Sequence, residues 1–461
     1  MERSHIFDSS ILKACDIRGV VGEKLNEVDA YFVGKAFGTF LQRDKKSRSC
    51  VVGRDGRRSS KKFSDKVIKG LLETGINVTN IGLMPTPVVY FSVKHLNLDA
   101  GLIVTASHNP PEYNGFKMLT NDDPVYGGDI QKIAEYSKNG DFCSGKGTLS
   151  NVDIKPDYLN FLFRKIKPQR NPLKVVWDCG NGADSVLLND VIAKLPGNHK
   201  ALFTDIDSDF KNHLADPSDP KNMVALQKEV IRSKYDIGIA FDGDGDRLGI
   251  VDSEGYIFFG DQLLIIYERD FLKHHKGEKV MCEVKASKVL YDDIKKNGGI
   301  GVMWKPGHSS QKAKMKSDKI MLAGETSGHM YFGENYNFDD ALYAAVKLLN
   351  ILGNEDKSIT QMRKEFPVPY STPEIRFDVV DSMLRSQVPI QIADRMKKSK
   401  RQFIDIDGVK AETEDGWWLV RSSNTQPALT LRCEALTENG LNLCKSEVEY
   451  QLKLSGVDFK F

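Results

Sequence analysis

Three aspartates, Asp242, Asp244 and Asp246, alternate with glycines in the segment Asp-Gly-Asp-Gly-Asp-Arg. Alternate residues of an extended loop point to one side, so the three carboxylates are expected to face one another. Such anions repel unless a hard cation lies among them. The EF-hand calcium loop does not fit, because Arg247 replaces the glycine of its sixth position and Ser253 the glutamate of its twelfth. The pattern favours Mg²⁺ with a phosphate as a further ligand, and a purely structural turn is the alternative.

A second candidate for chemistry is a serine that follows an apolar run. Ser107 lies in Thr-Ala-Ser-His-Asn-Pro, directly after the apolar residues 101–104. A serine where a strand ends can act as a nucleophile. Taken alone, it is more commonly a helix N-cap or a turn former. The Gly-x-Ser-x-Gly elbow of hydrolases is absent from this segment, so a Ser-His-Asp esterase is a poor fit.

Two further loops carry polar side chains suited to a sugar phosphate. In Gly-Glu-Thr-Ser-Gly-His, Glu325 and Ser327 are two residues apart and are expected to project together, as a reader of neighbouring sugar hydroxyls would. An ordinary polar turn explains this loop equally well. The segment 421–427, Arg-Ser-Ser-Asn-Thr-Gln-Pro, combines a guanidinium, three hydroxyls and an amide, which suits a phosphate. A neutral turn between strands is the alternative there, and Arg421 favours phosphate.

The elements that must position these loops repeat the order strand, polar turn, helix. Apolar runs end in turns rich in glycine, aspartate or small polar residues at 51–57, 174–182, 237–246 and 279–287. This repetition predicts an α/β fold with a mostly parallel sheet. Ligands of such sheets bind at the carboxyl ends of the strands, which is where these turns lie.

Breaks in the pattern predict four units. A polar stretch at 137–151, a turn at 252–255 and the prolines at 367, 369 and 373 interrupt the periodic segments. The expected units are residues 1–150, with the serine loop; 151–253, with the aspartate loop; 254–365, with the glutamate loop; and 366–461, with the arginine loop. The last unit is expected to contain strands and one or two helices.

Composition excludes several classes of protein. The 65 basic and 63 acidic residues give a net charge of +2, which argues against a nucleic-acid partner. The seven cysteines are widely spaced without Cys-x-x-Cys, which fits a reducing compartment. The N-terminus lacks an apolar signal core, and no run approaches the roughly 18 apolar residues of a membrane span. We expect a cytoplasmic protein with no membrane association and no obligate protein partner.

The four loops, in this order, resemble those of the α-D-phosphohexomutase superfamily, and most of all its bacterial phosphomannomutase/phosphoglucomutase branch. The resemblance extends from Asp-Ile-Arg-Gly at 16–19 to the Arg421 loop. It implies four domains around a central cleft: three similar α/β units with mixed sheets and a smaller α+β C-terminal domain. Two residues depart from the family pattern. Cys15 stands where the family often has tyrosine, and Pro306 precedes Gly-His at 307–308, where a small polar residue is expected.

The resemblance also implies a role for each matching residue. Ser107 is the phosphoserine and binds one Mg²⁺ together with Asp242, Asp244 and Asp246. The other implied catalytic residues are Arg18, Lys117, Arg247, His308 and His329. The implied substrate-binding residues are Lys285, Glu325, Ser327, Arg421, Ser423, Asn424 and Thr425. Lys117 is the expected proton-transferring group, with His329 as its partner, and cationic surroundings are expected to lower its pKa.

The implied activity is the interconversion of hexose 1-phosphates and 6-phosphates of mannose, glucose or both. The phosphoserine donates its phosphoryl group, a hexose 1,6-bisphosphate forms and turns around, and the serine is charged again. Free sugar 1,6-bisphosphate is then an activator. The alternatives are a phosphoglucosamine mutase, a metal-dependent sugar phosphatase and a non-catalytic sugar-phosphate-binding protein.

Overall fold

The computed structural model describes residues 3–121, 123–423 and 428–461. These residues form four sheets, one in each of four successive units. Within the described ranges, no helix has the length and apolar character needed to cross a membrane.

The first unit has a mixed six-stranded sheet with the order β1-β5-β4-β2-β3-β6. The strands β2, β3, β4 and β6 run parallel, and β5 pairs antiparallel with β4 and with β1. The elements are β1 (Ile17–Val20), α1 (Glu27–Asp44), β2 (Ser49–Arg54), α2 (Ser60–Glu73), β3 (Asn77–Leu83), α3 (Thr86–His95), β4 (Ala100–Val104), β5 (Tyr113–Thr120), α4 (Gly128–Asn139) and β6 (Leu149–Asn151).

The second unit has a mixed five-stranded sheet with the order β11-β10-β9-β7-β8. The strand β7 runs parallel to β8 and β9, whereas β10 is antiparallel to β9 and β11. The elements are α5 (Lys155–Phe163), β7 (Lys174–Asp178), α6 (Leu188–Ile192), β8 (Asn198–Leu202), α7 (Val224–Ser233), β9 (Ile237–Phe241), β10 (Leu248–Asp252) and β11 (Ile257–Phe258).

The third unit has a mixed sheet with the order β13-β12-β14-β15-β16, in which β12 is parallel to β13 and β14. The strand β15 returns antiparallel to β14. The elements are α8 (Gly260–His274), β12 (Lys279–Glu283), α9 (Lys288–Lys296), β13 (Ile300–Trp304), α10 (His308–Asp318), β14 (Leu322–Gly324), β15 (Met330–Phe332), β16 (Phe338–Asp339), α11 (Ala341–Leu352) and α12 (Ile359–Arg363).

The fourth unit has an antiparallel sheet with the order β17-β22-β21-β20-β19, and β18 also pairs with β22. The elements are β17 (Tyr370–Ser371), β18 (Ile375–Asp378), α13 (Ser382–Lys398), β19 (Phe403–Ile404), β20 (Val409–Glu412), β21 (Gly416–Ser422), β22 (Ala428–Ala435) and α14 (Glu438–Leu454). The expected fold class, three α/β units with mixed sheets and a C-terminal α+β unit, is confirmed.

Two expected unit boundaries differ from the ends of the sheets. The strand β6 crosses residue 150 and still pairs with β3 of the first unit. The boundary at residue 253 falls in the turn between β10 and β11, because β11 pairs back onto β10 of the second unit. The polar composition of these segments predicts connections between units, but their backbones pair with strands of the first and second sheets.

The first three units place their loops in equivalent positions. The strands β4, β9 and β14 each run parallel to a neighbouring strand and are followed by an antiparallel partner. The serine loop follows β4, the aspartate loop follows β9 and the glutamate loop follows β14. One large apolar cluster runs through these three units and includes Val89, Phe241 and Leu342. A continuous core therefore fixes the three loops relative to one another.

Candidate functional site

Ser107 is buried at the carboxyl end of β4, with 1% of its surface exposed. Its backbone has φ = 52°, a left-handed conformation that non-glycine residues adopt at a cost. Its Oγ donates to Asp242 Oδ2 over 2.7 Å and lies 3.1 Å from Nδ1 of His108. Its backbone N–H donates to Thr105 Oγ1 over 2.9 Å. The serine hydroxyl is therefore held directly against the aspartate loop of the second unit.

Glycine is required where these two loops meet. A Cβ added to Gly243 would lie 2.4 Å from the carbonyl oxygen of Ser107, which is closer than real Cβ atoms approach backbone oxygen. Glycine at position 243 thus has a packing role of its own. It lets the aspartate loop lie against the serine loop.

Arg57 holds the serine loop, a role that no local sequence pattern indicates. Its side chain is buried and its Nη2 donates to the carbonyls of Ser107, at 2.7 Å, and Asn109, at 2.6 Å. Its Nη1 donates to the carbonyls of Pro110 and Tyr113, and its Nε donates to Asp55. All five N–H donors of the guanidinium are thus used. The segment Asp-Gly-Arg at 55–57 had been interpreted only as a turn after a strand.

The three aspartates are fully buried, and one carboxylate oxygen from each lies within 4.8 Å of the other two. Asp242 Oδ1 accepts from the backbone N–H groups of Asp246 and Arg247. Thr86 Oγ1 donates to Asp244 Oδ2 over 2.5 Å. Asp244 Oδ1 and Asp246 Oδ1 are buried without a hydrogen-bond partner among the described residues. Burial and the two neighbouring carboxylates raise the pKa of Asp242 well above its ordinary value.

Lys117 lies between two of these carboxylates. Its Nζ donates to Asp244 Oδ2 over 2.7 Å and also contacts Asp246 Oδ2. Burial lowers the pKa of Lys117, but the three aspartates outweigh that effect and raise the pKa above its ordinary value. The expectation that cationic surroundings lower this pKa was wrong, because the nearest charges are carboxylates from another unit.

His329 connects the aspartate loop to a further buried carboxylate. Its Nε2 accepts from Arg247 Nε over 3.0 Å, so the proton of a neutral ring is assigned to Nδ1. Nδ1 lies 3.0 Å from Asp339 Oδ2 and 3.6 Å from Asp246 Oδ1. Lys312 donates to the other oxygen of Asp339. Asp339 thus faces Nδ1 of His329 at ion-pair distance, and the sequence analysis did not single it out.

His308 and Glu325 meet beside His329. The rings of His308 and His329 are 5.9 Å apart. Burial and the nearby Lys312 and Lys117 lower the pKa of His308 well below its ordinary value, and its Nε2 has no partner among the described residues. Glu325 is held by Tyr331, whose hydroxyl donates over 2.5 Å, and by the backbone N–H of Gly307. A neutral imidazole and a fixed carboxylate therefore line the same part of the site.

Arg18 and Lys285 extend the site on two sides. Arg18 donates to Asn109 Oδ1 over 2.6 Å and to the carbonyl of Ala106, so it lies on the serine loop. Lys285 Nζ lies 3.4 Å from Glu283 and 3.2 Å from Glu374 of the fourth unit. Arg421 is buried, with its Nε 2.6 Å from Asp407. Burial and the nearby Arg421 act to lower the pKa of Lys285, but Glu283 and Glu374 outweigh them and raise that pKa above its ordinary value.

The structure brings most of the expected site residues into one network. It connects Ser107, Asp242, Asp244, Asp246, Lys117, Arg247, His329, His308, Arg18 and Glu325 by contacts or neighbouring rings. Ser327 is half-buried in the loop of Glu325, and Ser423 is half-buried just beyond β21. Asn424 and Thr425 lie outside the described residues, so their expected role stays a prediction. Glu283, Thr86 and Glu374 were missed, because nothing local distinguishes them from ordinary core or loop residues.

Comparison with known proteins agrees with this arrangement. The chain matches all four parts of the phosphoglucomutase/phosphomannomutase family: alpha/beta/alpha domain I at residues 9–143, domain II at 156–255, domain III at 259–370 and the C-terminal domain at 374–450. It is 38% identical over 450 residues to a phosphomannomutase/phosphoglucomutase of Pseudomonas aeruginosa, with 96% of each chain covered. It is 37% identical over 441 residues to a phosphoglucomutase of Neisseria meningitidis, with 95% of each covered.

A solved structure has the same fold over its whole length. The crystal structure of a phosphoglucomutase/phosphomannomutase family protein from Burkholderia thailandensis superposes with a TM-score of 0.92. The two sequences are 35% identical, and the match covers 99% of this chain and 100% of the other. With four matching domains in one order and relatives similar over nearly the full length, this chain belongs to the phosphoglucomutase/phosphomannomutase family.

Proposed function

We propose that this chain interconverts the 1-phosphates and 6-phosphates of mannose and glucose through phosphorylated Ser107 and a hexose 1,6-bisphosphate. The observation that carries the proposal is the hydrogen bond of 2.7 Å from Ser107 Oγ to Asp242, inside a buried cluster of three carboxylates. Relatives named phosphomannomutase/phosphoglucomutase support sugar phosphates as the substrate class.

The donor set of the aspartate loop fits a hard divalent cation, for which we propose one Mg²⁺. Two buried oxygens, Asp244 Oδ1 and Asp246 Oδ1, have no hydrogen-bond partner among the described residues, and carboxylate oxygens are the ligands this ion prefers. Asp242, Asp244, Asp246 and Ser107 would hold it. Such an ion, when bound, supplies positive charge beside the transferring phosphoryl group.

The protein groups around Ser107 suit phosphoryl transfer in both directions. In the forward half-reaction, a sugar hydroxyl attacks the phosphorus, the bond from phosphorus to Ser107 Oγ breaks, the sugar hydroxyl gives up its proton and Ser107 Oγ gains one. Lys117 contacts the aspartate loop and is our assigned proton-transferring group, with His329 as its partner: its ammonium, kept protonated by the aspartates, donates to the departing Oγ and takes up the proton of the sugar hydroxyl. Arg247 and Arg18 offset charge on the phosphoryl oxygens. The second half-reaction is the reverse, with the other end of the bisphosphate at the serine.

We assign the sugar hydroxyls to Glu325 and Ser327, and the remote phosphate to the fourth unit. Both oxygens of Glu325 are already oriented by Tyr331 and Gly307, so the carboxylate presents a fixed acceptor. Lys285, Arg421, Ser423, Asn424 and Thr425 are the assigned phosphate contacts. A phosphate group held remotely contributes binding energy that positions the reacting end.

We predict comparable turnover of mannose 1-phosphate and glucose 1-phosphate, which differ only at C2. Thr326 is a candidate reader of O2, but its hydroxyl already donates to Glu283 Oε1 over 2.5 Å. Glu325 and Ser327 are assigned to O3 and O4, so no assigned contact distinguishes the two orientations of the hydroxyl at C2. The measurement is kcat/KM for both sugars with a trace of glucose 1,6-bisphosphate. A preference beyond about a thousandfold, near 4 kcal/mol, contradicts the dual specificity.

The same preparation tests the reaction class. Incubation with glucose 1,6-bisphosphate is expected to raise the intact mass by one phosphoryl group, located on Ser107. A phosphatase releases inorganic phosphate as fast as substrate disappears, whereas the proposed mutase conserves sugar phosphate. Turnover of glucosamine 6-phosphate well above that of either hexose phosphate would identify a phosphoglucosamine mutase instead.

Replacing Arg57 with methionine is expected to lower kcat about a hundredfold. The serine loop loses the hydrogen bonds that Arg57 donates to its carbonyls, and the reacting serine then moves from its productive position. Arg57→Lys keeps the charge but not the fork of donors and should recover little. Arg58→Met is the matched control, since Arg58 is exposed and its ion pair within the described ranges is with Asp209 on the surface. A kcat for Arg57→Met equal to that of the control would remove Arg57 from this role.

We place the activity in the cytoplasm. All seven cysteines lie in described parts of the chain and are free thiols, as a reducing compartment permits. Burial raises the pKa of Cys15, beside the glutamate loop, to about 11, so this thiol stays protonated and unreactive near neutral pH.

A further inference from the structure

Side chains of the fourth unit hold the backbone of the loop that carries Lys285 in the third unit. Three consecutive carbonyls of this loop accept hydrogen bonds from across the boundary. Lys410 Nζ donates to Val284 O over 2.9 Å and to Ala286 O over 3.1 Å. Arg432 Nη1 donates to the carbonyl of Lys285 itself over 2.7 Å.

The following residues of the loop are held in the same way. Glu434 Oε1 accepts from Ser287 Oγ over 2.8 Å and from the backbone N–H of Lys288 over 3.0 Å. Trp417 Nε1 donates to the same oxygen over 3.0 Å, which orients Glu434 from its own sheet. Val284 also packs against Trp417 and Leu419 in a small apolar cluster shared by the two units.

The side chain of Lys285 meets the fourth unit as well. Its Nζ lies 3.2 Å from Glu374, and Coulomb attraction from Lys285 helps to lower the pKa of Glu374 to about 2 against the opposing effect of burial. The carbonyl and the ammonium of one residue are therefore both fixed by a unit to which that residue does not belong. The same unit carries Arg421.

We propose that Arg432 is a positioning residue for Lys285, so that the unit that binds the remote phosphate also sets the place of a substrate contact in the third unit. The inference rests on the proposed function, in which Lys285 contacts the sugar phosphate. A hydrogen bond to a loop carbonyl orients the residue that bears it, since buried carbonyls need partners. Without Arg432 the carbonyl of Lys285 loses that partner, and the ammonium of Lys285 is no longer held in the same position.

Arg432 is the better residue to change. Burial lowers the pKa of Lys410 to about 7, although Glu434 opposes the shift, so the charge of this lysine varies near neutral pH. A guanidinium stays charged. Arg401 offers a matched control: it is an arginine of the same unit that bonds Glu447 and the carbonyl of Glu412, both within that unit.

The experiment is a double-mutant cycle on full-length protein with Arg432→Met, Lys285→Met and the double variant. Arg432→Met is expected to lower kcat/KM for glucose 1-phosphate about tenfold, as loss of one charged hydrogen bond predicts, and Arg401→Met to leave it unchanged. If Arg432 acts through Lys285, the double variant matches Lys285→Met within about twofold. The dissociation constant of glucose 6-phosphate is measured for the same four proteins.

Each outcome decides the question. If the double variant loses kcat/KM by the product of the two single losses, Arg432 acts independently of Lys285. That result overturns the positioning role and leaves the proposed function intact. An unchanged kcat/KM and affinity in Lys285→Met overturn both that role and the substrate contact assigned to Lys285. If the wild type has no mutase activity, the proposed function is wrong. The positioning role is still tested in that case, because the cycle is then evaluated on the dissociation constants of glucose 6-phosphate. If Arg432→Met unfolds, Arg432→Gln, which keeps a polar side chain but loses the guanidinium that bonds the Lys285 carbonyl, replaces it in the cycle.

Discussion

Ser107→Ala is expected to lose nearly all mutase turnover while the fold survives. The reason is covalent: the phosphoryl carrier disappears, and the adjacent Thr105 hydroxyl is engaged as acceptor of the Ser107 backbone N–H. The measurement is the rate of conversion of glucose 1-phosphate to glucose 6-phosphate, together with the intact mass after incubation with glucose 1,6-bisphosphate. Neither turnover nor mass gain is expected. Ser150→Ala, at an exposed strand on the edge of the same sheet, is the control.

A second variant separates chemistry from stability. Ser107 has φ = 52°, which glycine adopts more readily than alanine. Ser107→Gly should therefore be as inactive as Ser107→Ala and at least as resistant to thermal unfolding. Substantial turnover by both variants, with no other residue phosphorylated, would refute the assignment of Ser107. Phosphorylation of another residue would move the carrier to that position.

Removal of divalent cations is expected to abolish turnover, and Mg²⁺ to restore it. Asp244→Asn should lower kcat/KM at a fixed, low Mg²⁺ concentration at least about a hundredfold, since one anionic ligand of a hard cation is lost and the ion contributes several kcal/mol to phosphoryl transfer. The isosteric amide keeps the packing of the fully buried Asp244. The measurement is activity as a function of Mg²⁺ concentration.

The Mg²⁺ dependence distinguishes two roles of Asp244, which also contacts Lys117 and Thr86. Partial recovery at high Mg²⁺ indicates loss of a metal ligand, whereas a loss independent of Mg²⁺ indicates loss of the partner of Lys117. Asp209→Asn, which removes an exposed carboxylate of the same unit, serves as control. Full activity of the wild type in excess chelator would exclude the metal role, and equal activation by Ca²⁺ would contradict the selectivity proposed for this loop.

The sequence by itself determined the properties that depend on residues close together along the chain. Apolar runs followed by polar turns located β4, β9 and β14, because strand and turn propensities act over a few residues. The types of residue in the turns allowed a nucleophile, cation ligands and sugar contacts, and left an ordinary cap or turn as the alternative for each loop. Their order along the chain was enough to indicate the family, which the comparisons confirm.

Only the tertiary structure decided which charges surround each group. Lys117 was expected among cations, yet it lies between Asp244 and Asp246, which are 127 and 129 positions away along the chain. The direction of a pKa shift depends on the nearest charges in space, and no local pattern specifies them. The sequence therefore predicted the lysine as a site residue but gave the wrong direction for its pKa.

The supporting contacts were decided in the same way. Arg57 completes its hydrogen bonds with carbonyls about 50 residues onward, and Arg432 with a carbonyl 147 residues before it. Backbone carbonyls occur at every residue and leave no mark in the sequence, so a side chain that binds them looks like any other arginine. Local sequence predicted the reacting groups, and packing between the four units determined which side chains hold those groups in place.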